Sequence, residues 1–272
     1  MTPDIYLNVA KTLSHSRANG PGVRAVIWVQ GCTIGCPGCY NAFTHPHEKR
    51  TLVAPETIAK WVSGLEGIEG VSFSGGEPFE QAKAARMVIR KIRQRSPNLT
   101  FFSYTGFNLV KLQKSEDENV IGLLDELDMV SAGPYIHSER KSDLLWRGSS
   151  NQQLHYLSNA YGKHLEAAWK KTSPVEEFQY DGNIIHFTGF EGRGSNFLKS
   201  INHQLLPEHS CCGWLDLAPM KAGCELSEQM PECAGNNIKS DAGEVVPAPM
   251  REEAFGSVQP PDSAETYRKA AM

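Results

Sequence analysis

Three cysteines close together near the start of the chain are the residues best suited to chemistry. Cys32, Cys36 and Cys39 lie within the segment 31–40, with three residues between the first pair and two between the second. Because an odd number of thiols cannot all pair as disulfides, this spacing favours a soft metal centre. A [4Fe–4S] cluster has four iron corners, so three thiolates leave one iron open to another ligand. An open metal position is typical of catalysis rather than of a structural site.

A zinc knuckle is the main alternative for the same segment. His45 or His47 could supply its fourth ligand, although zinc sites usually space their cysteines as isolated pairs. Gly35, Pro37 and Gly38 suit a loop that wraps closely around a cluster, because glycine tolerates positive φ and proline fixes a turn. The cysteine spacing therefore favours an iron–sulfur cluster over zinc.

A second short motif follows one predicted βα unit later. Gly75, Gly76, Glu77 and Pro78 come directly after a predicted strand at residues 70–74. Two glycines let a ligand approach the backbone closely, and a strand edge with a carboxylate suits a ligand that carries a cationic amine. The alternative is that Glu77 only begins the next helix, where the helix dipole favours a carboxylate.

Around these motifs, predicted strands alternate with predicted helices. Apolar, β-branched runs predict strands at residues 23–30, 70–74, 99–104 and 129–131. Helical periodicity predicts helices at residues 54–65, 80–95, 110–127 and 154–171. A hairpin is expected at residues 175–180 and 183–188, which flank Asp181-Gly182. The alternation predicts an α/β fold with parallel βα units, in which ligand sites lie at the C-terminal ends of the strands.

Composition limits the class of protein. The 272 residues are 40% hydrophobic and 21% charged, as in ordinary globular domains. A net charge of −4 gives no sign of nucleic-acid binding, and no apolar run of about 18 residues predicts a membrane span. The first residues show no signal-peptide pattern, and seven cysteines without an export signal favour metal binding in a reducing cytoplasm.

Together the two motifs resemble the radical S-adenosylmethionine (SAM) superfamily, whose cluster signature is Cys-x3-Cys-x2-Cys and whose SAM-amine motif is Gly-Gly-Glu-Pro. The chain is similar in particular to the family of anaerobic ribonucleoside-triphosphate reductase activating proteins. That resemblance rests on five segments in the family's order, at residues 19–24, 31–41, 74–78, 104–107 and 146–152. The chain departs from the family at Ala132, where an aspartate is common, and it continues well beyond residue 155.

The resemblance implies a radical SAM mechanism. Cys32, Cys36 and Cys39 would ligate three irons of a [4Fe–4S] cluster, and SAM would chelate the fourth iron through its amino and carboxylate groups. Reductive cleavage of SAM would give methionine and a 5′-deoxyadenosyl radical. In this family the radical removes a hydrogen atom from a backbone glycine of a partner protein, a glycyl-radical enzyme. The expected electron donor is a flavodoxin or a ferredoxin.

The resemblance also implies three sets of SAM contacts, to the amine, to the adenine, and to the ribose or carboxylate. In that order they are Gly75, Gly76 and Glu77; Gly38 and Tyr40; and Thr105 and Arg147. For the last two residues, a turn hydroxyl and a surface ion pair are equally good interpretations.

Four further cysteines lie in the C-terminal part of the chain: Cys211, Cys212, Cys224 and Cys233. They could hold an auxiliary iron–sulfur cluster or a zinc ion, or they could be free thiols or a redox pair, because their spacing matches no standard framework.

The expected architecture is an open βα barrel of the radical SAM type, with a C-terminal helix, a β-hairpin and an irregular extension. We expect a core domain over residues 1–153, a helix and β-hairpin completing it over 154–192, a cysteine-containing extension over 193–233, and a disordered tail over 234–272.

Two other functions stay open at this point. A radical SAM enzyme acting on another peptide or on a small molecule is favoured by the long C-terminal region. An iron–sulfur electron carrier would need no SAM site, so the Gly-Gly-Glu-Pro motif argues against it.

Overall fold

The computed structural model describes residues 5–141, 143–180 and 185–190. Seven strands form one sheet: β1 (Leu7–Ser16), β2 (Arg24–Val29), β3 (Thr51–Val53), β4 (Gly70–Gly75), β5 (Thr100–Thr105), β6 (Met129–Ala132) and β7 (Gln153–Tyr156). The helices are α1 (Pro55–Ser63), α2 (Ala82–Arg95), α3 (Leu109–Gln113), α4 (Glu118–Glu126) and α5 (Glu166–Thr172). A separate antiparallel hairpin pairs β8 (Glu176–Tyr180) with β9 (Ile185–Gly189).

Four parallel strands form the middle of the sheet, whose order is β3-β1-β2-β4-β5-β6-β7. Strands β2, β4, β5 and β6 run parallel, while β1, β3 and β7 add antiparallel strands at the two sides. All six residues of β2 are buried, as expected of a strand that is covered on both faces. The four parallel strands are those that the apolar runs predict. Their C-terminal ends meet at one edge of the sheet.

The first three helical regions cover one face of the parallel strands. Apolar side chains from α1, α2 and α4, such as Ile58, Ile89 and Leu123, form one buried cluster with Ile27 and Phe73 of the sheet. Helix α1 begins with Pro55, and proline suits this position because a backbone N–H there would have no partner within the helix. Helix α2 buries one side along its whole length. This packing is the βα arrangement that the sequence predicts, so the α/β class is confirmed.

The other face of the sheet carries a second, smaller cluster. Phe102, Met129, Leu145 and Trp146 are buried there, and Trp169 of α5 packs against them. The region after residue 153 differs from its prediction, because residues 153–156 form strand β7 rather than the start of a helix. Alternate residues of β7 pack against this cluster, as the two-residue repeat of a strand allows, and this packing outweighs the helical propensity of the segment. Only residues 166–172 are α-helical there.

Strand β1, like the short strand β3, was not predicted from the sequence. Its residues are mostly polar, but Leu7 and Val9 are buried and alternate with less buried neighbours. The strand pairs with both β2 and β3, so its backbone hydrogen bonds are formed even though most of its side chains are polar. The predicted hairpin strands are present at 176–180 and 185–189, whereas its turn at Asp181-Gly182 lies outside the described residues.

The C-terminal predictions lie outside the described residues. This applies to the extension over 193–233, to the tail over 234–272 and to the four cysteines between residues 211 and 233. In the part of the chain that the structure describes, no helix is both long enough and apolar enough to cross a bilayer.

Arg24 is fully buried at the start of β2 and ties three parallel strands together. Its guanidinium donates to the Ser72 hydroxyl at 2.8 Å, to the Val71 carbonyl at 2.9 Å and to the Thr100 carbonyl at 2.8 Å. Burial lowers the pKa of Arg24, and its effect outweighs those of Tyr161, Asp128 and Glu69, but an arginine stays charged in proteins. Several neutral oxygens thus take the place of water around this cation.

We expect Arg24→Ala to lower the free energy of unfolding by about 3–5 kcal/mol, because it leaves a cavity and strands the oxygens that the guanidinium satisfied. Chemical denaturation would measure the change. Arg50→Ala is the matched control, since the Arg50 side chain is half exposed and pairs with Glu48, and its cost should stay below about 1 kcal/mol. Equal losses in both variants would contradict the role given to Arg24.

Candidate functional site

The cysteine loop, residues 31–40, leaves the C-terminal end of β2. Its first residues are held on one side by backbone hydrogen bonds, from Gly31 to the Thr44 carbonyl at 2.7 Å and from Cys32 to the His45 carbonyl at 3.0 Å. Gly35 and Gly38 have φ angles of 59° and 71°, which are left-handed values that glycine adopts without strain. The loop therefore has the tight curvature that its glycines predict.

The three cysteines are free and half-buried. Burial raises the pKa of the Cys32 thiol, and it raises the pKa of Cys39 to about 11. The backbone N–H groups of Ile34 and Gly35 point at the Cys32 sulfur, and the Asn41 N–H donates to the Cys39 sulfur at 3.4 Å. Such N–H···S bonds stabilise thiolates and are one way in which proteins adjust iron–sulfur clusters. Metal binding must displace the thiol protons here.

The donor set, three cysteine thiols on one loop, is of the kind that iron–sulfur clusters use. Within the described residues, no three histidine, cysteine or acidic side chains lie close enough together to hold one metal ion. A cubane cluster spreads its irons over several corners, so its three cysteines need not converge on one point. His47, a possible zinc ligand, instead contacts Glu80 through Nε2 at 2.8 Å. The geometry gives the zinc alternative no support.

The turn after β4 packs directly against the start of the cysteine loop. The Gly76 N–H donates to the Val29 carbonyl and the Glu77 N–H donates to the Gly31 carbonyl, both at 2.8 Å. A side chain at Gly76 would collide with the Gly31 carbonyl oxygen, so only glycine fits. The two sequence motifs therefore touch each other, and both Gly75 and Gly76 remain partly exposed beside the loop.

Glu77 is 1% exposed, and its carboxylate accepts three hydrogen bonds. These come from the Phe79 N–H at 3.0 Å, the Thr105 hydroxyl at 2.9 Å and the Gly106 N–H at 2.8 Å. The first of these bonds caps the 3-10 helix Pro78–Gln81, which is the structural alternative that the sequence left open. Burial outweighs these bonds and raises the pKa of Glu77 to about 7.

Thr105 lies at the C-terminal end of β5, as expected, but its hydroxyl faces Glu77 rather than solvent. The same oxygen accepts the Phe107 N–H at 3.1 Å, so Thr105 shapes the turn that follows β5. Ile34 of the cysteine loop packs against Gly106 in that turn. The ends of β4 and β5 thus form a seat for the loop.

Aromatic residues surround the other side of the cysteine loop. The Tyr40 ring makes edge contacts with Tyr135 and Phe190, with centroids 5.2 Å apart in both pairs. The guanidinium of Arg140 lies 5.9 Å from the Tyr40 ring centre, and a Cβ on Gly38 would come within 3.1 Å of the His137 ring. Gly38 and Tyr40 therefore face the loop after β6, with apolar and cationic neighbours.

Arg147 directly precedes Gly148, which lies in this aromatic region. Its Nε donates to the Leu145 carbonyl at 3.2 Å, and Gly148 packs between the rings of Tyr135 and Tyr40. Among the described residues, Arg147 makes no ion pair with a carboxylate. Arg147 itself is half-buried.

Sequence reasoning missed several residues that the fold brings to the cysteine loop: Glu80, Gln81, Tyr135 and Phe190. Gln81 donates to the carbonyls of Asn8 and Gln30 at 3.1 and 2.9 Å, and so fixes the end of β2. The one signal that could have indicated Glu80 and Gln81 is their closeness in sequence to the Gly-Gly-Glu-Pro motif. Tyr135 and Phe190 carry no such signal.

A family model matches the part of the chain that contains this site. The family model described as a 4Fe-4S single cluster domain matches residues 18–155, slightly more than half of the chain. A solved structure of QueE from Escherichia coli covers 49% of the chain and 60% of its own, with a TM-score of 0.32 and 14% identity.

Curated relatives match about half of the chain and are covered almost completely. The anaerobic ribonucleoside-triphosphate reductase-activating protein of Vibrio cholerae is 31% identical over 143 residues, which are 50% of this chain and 90% of the relative. Proteins of the same name from phage T4 and Escherichia coli K12 are 30% and 28% identical, and 92% of each is covered. The chain therefore belongs to the 4Fe-4S single cluster domain family and to the family of anaerobic ribonucleoside-triphosphate reductase-activating proteins.

Proposed function

We propose that this chain is a radical SAM enzyme that installs a glycyl radical on a partner protein, an anaerobic ribonucleotide reductase or a close equivalent. The observation that carries the proposal is the contact between the cysteine loop and the turn at Gly75 and Gly76, at the C-terminal edge of four parallel strands. An electron carrier has no use for that second motif beside its cluster.

Cys32, Cys36 and Cys39 are the proposed ligands of three irons in a [4Fe–4S] cluster. When cluster and SAM are bound, they supply reductive cleavage of the sulfonium and a 5′-deoxyadenosyl radical that removes a hydrogen atom from glycine. The loop leaves these sulfurs half-buried, which limits access of water while keeping one side open to a ligand.

The turn after β4 is the proposed site for the SAM amine. Gly75 and Gly76 are partly exposed and offer backbone acceptors, whereas Glu77 lies behind them with its carboxylate buried. A carboxylate has about four acceptor positions, and three of these are filled by Phe79, Thr105 and Gly106. Glu77 thus supports the turn and adds negative charge behind the amine.

The aromatic side of the loop is the proposed site for the rest of SAM. Tyr40 and the backbone at Gly38 would contact the adenine, beside Tyr135 and Phe190. Arg147 has no carboxylate partner among the described residues and is suited to the SAM carboxylate. We assign Thr105 a supporting role through Glu77, because its hydroxyl is buried and already engaged.

The partner and the wider architecture are also part of the proposal. The family's reductase-activating members support a glycyl-radical protein as partner, and a flavodoxin or ferredoxin would supply the electron. The parallel strands would curve into an open βα barrel that admits a partner's loop. An auxiliary metal site at Cys211, Cys212, Cys224 and Cys233 stays a prediction, since these residues lie outside the described part.

The function can be tested with anaerobically reconstituted protein, SAM, a strong reductant and a purified anaerobic ribonucleotide reductase. We expect methionine and 5′-deoxyadenosine to form, together with the EPR doublet of a glycyl radical on the reductase. Cys36→Ala should lose the visible absorption and EPR signal of the cluster and all SAM cleavage, since a cluster ligand is gone. Ser63→Ala is the control, because this hydroxyl is exposed at the end of α1 and bonds only within its own helix.

SAM cleavage without a glycyl radical would favour another substrate, and cleavage that survives replacement of all three loop cysteines would contradict the proposal.

We expect Glu77→Gln to weaken SAM binding about tenfold, because the change removes a negative charge behind the amine and each ~1.4 kcal/mol of binding energy is tenfold. Binding titration of the reconstituted protein would measure the affinity. Glu48→Gln, in an exposed pair with Arg50, is the control and should bind normally. Unchanged affinity in Glu77→Gln would leave this residue with only its capping role.

Glu77 should also make the metal-free protein less stable as the pH rises. Its pKa is about 7 when folded and about 4.5 when unfolded, so the folded state holds an extra proton between these values. The resulting stabilisation is complete below pH 4.5 and is lost as the pH rises through 7, with a change of about 2–3 kcal/mol between pH 5 and pH 8. Denaturation at several pH values should show this slope, and Glu77→Gln should flatten it. An identical slope in the variant would exclude Glu77 as its cause.

A further inference from the structure

Glu80 reaches from the end of the 3-10 helix to the cysteine loop, 47 residues away in sequence. Its Oε1 accepts both the backbone N–H of Thr33 at 2.8 Å and the Thr33 hydroxyl at 2.5 Å. Thr33 directly follows Cys32. One carboxylate oxygen therefore fixes both the backbone and the side chain of the residue next to the first cysteine.

The contact differs from the other hydrogen bonds between this turn and the loop. Gly76 and Glu77 hold Val29 and Gly31, and Gln81 holds Gln30, all of which precede Cys32. Among the hydrogen bonds between this turn and the loop in the described residues, those of Glu80 bind a residue that follows Cys32 in the chain. Cys32 thus lies between a fixed strand end and a fixed Thr33.

His47 completes the contact from the other side. Its Nε2 lies 2.8 Å from Oε2 of Glu80, so each oxygen of the carboxylate has its own partner. The Glu80 side chain is 19% exposed. Burial opposes ionisation, but the bonds from Thr33 and His47 outweigh it and lower the pKa of Glu80. The carboxylate is consequently charged at neutral pH, and hydrogen bonds to a charged acceptor are stronger than neutral ones.

We propose that Glu80 is a positioning residue for the iron–sulfur cluster, which holds Thr33 and thereby keeps Cys32 in place as a ligand, with His47 orienting the carboxylate. The inference rests on the proposed function, because it requires that the cysteine loop hold a cluster. Metal ligands commonly depend on such outer hydrogen bonds for their orientation.

The consequence is a difference in how firmly the cluster is held. Without the carboxylate, the Thr33 N–H and hydroxyl turn to water, and Cys32 gains freedom to leave its iron. A glutamine at position 80 keeps a carbonyl oxygen in the same place, so it still accepts both bonds from Thr33. Alanine removes the acceptor altogether. The glutamine variant keeps the hydrogen bonds to Thr33 and the alanine variant loses them, so the pair tests these hydrogen bonds.

The test measures how fast iron passes from the reconstituted protein to a ferrous chelator under anaerobic conditions. We expect Glu80→Ala to release iron about tenfold faster than the unaltered protein, and Glu80→Gln to restore the slow rate to within about twofold. Thr33→Ala, which removes the exposed hydroxyl alone, should give an intermediate rate. Glu48→Ala is the matched control, because that carboxylate pairs with Arg50 and does not touch the loop through its side chain.

The EPR g-values of the reduced cluster provide a second measurement, which general destabilisation of the protein does not change. They should shift in Glu80→Ala and return in Glu80→Gln. Release from Glu80→Ala at the unaltered rate, or equally fast release from both Glu80 variants, would overturn the inference. If the unaltered protein takes up no cluster, the proposed function itself fails; a stable cluster with no response to Glu80→Ala sinks this inference alone.

Discussion

The structure depends above all on the contact between the turn after β4 and the end of β2. Parallel pairing brings these two strand ends to the same edge, and the hydrogen bonds of Gly76 and Glu77 extend the pairing beyond the strands themselves. The absence of a side chain at Gly76 allows this approach. The seat for the cysteine loop at Gly106 builds on this junction.

Buried polar groups support the junction from both ends of the strands. Arg24 joins β2, β4 and β5 where they begin, and Glu77 joins the turns where β4 and β5 end. Each of these side chains is charged or readily becomes charged, and backbone and hydroxyl groups replace water as its hydrogen-bond partners. Such groups contribute little net stability against an apolar core, but they allow only one register, since any slip would leave them unpaired.

The sequence predicts the parallel strands and the two motifs because each has a local signature. Val26 and Phe73 lie in apolar runs, and the cysteines and glycines have diagnostic spacing. Strand β1 and strand β7 were missed or taken for helix because their pairing partners decide their state, not their composition. Glu80 was missed for a related reason. A single glutamate on a 3-10 turn looks like any solvated charge until the fold sets it beside Thr33.

The long sequence separation of these contacts determines the order in which the holoprotein can be made. In a zinc finger the metal organises a short chain that is unfolded without it. Here the loop is held by Gly76, Glu77 and Glu80, which the ribosome supplies only after the three cysteines and the whole of α1. A nascent chain that exposes only the cysteine loop has not yet made the surface that shapes it. The contacts that hold the cysteine loop therefore form only once β2 and β4 have paired, so the shape of the loop belongs to the folded β2–β4 unit.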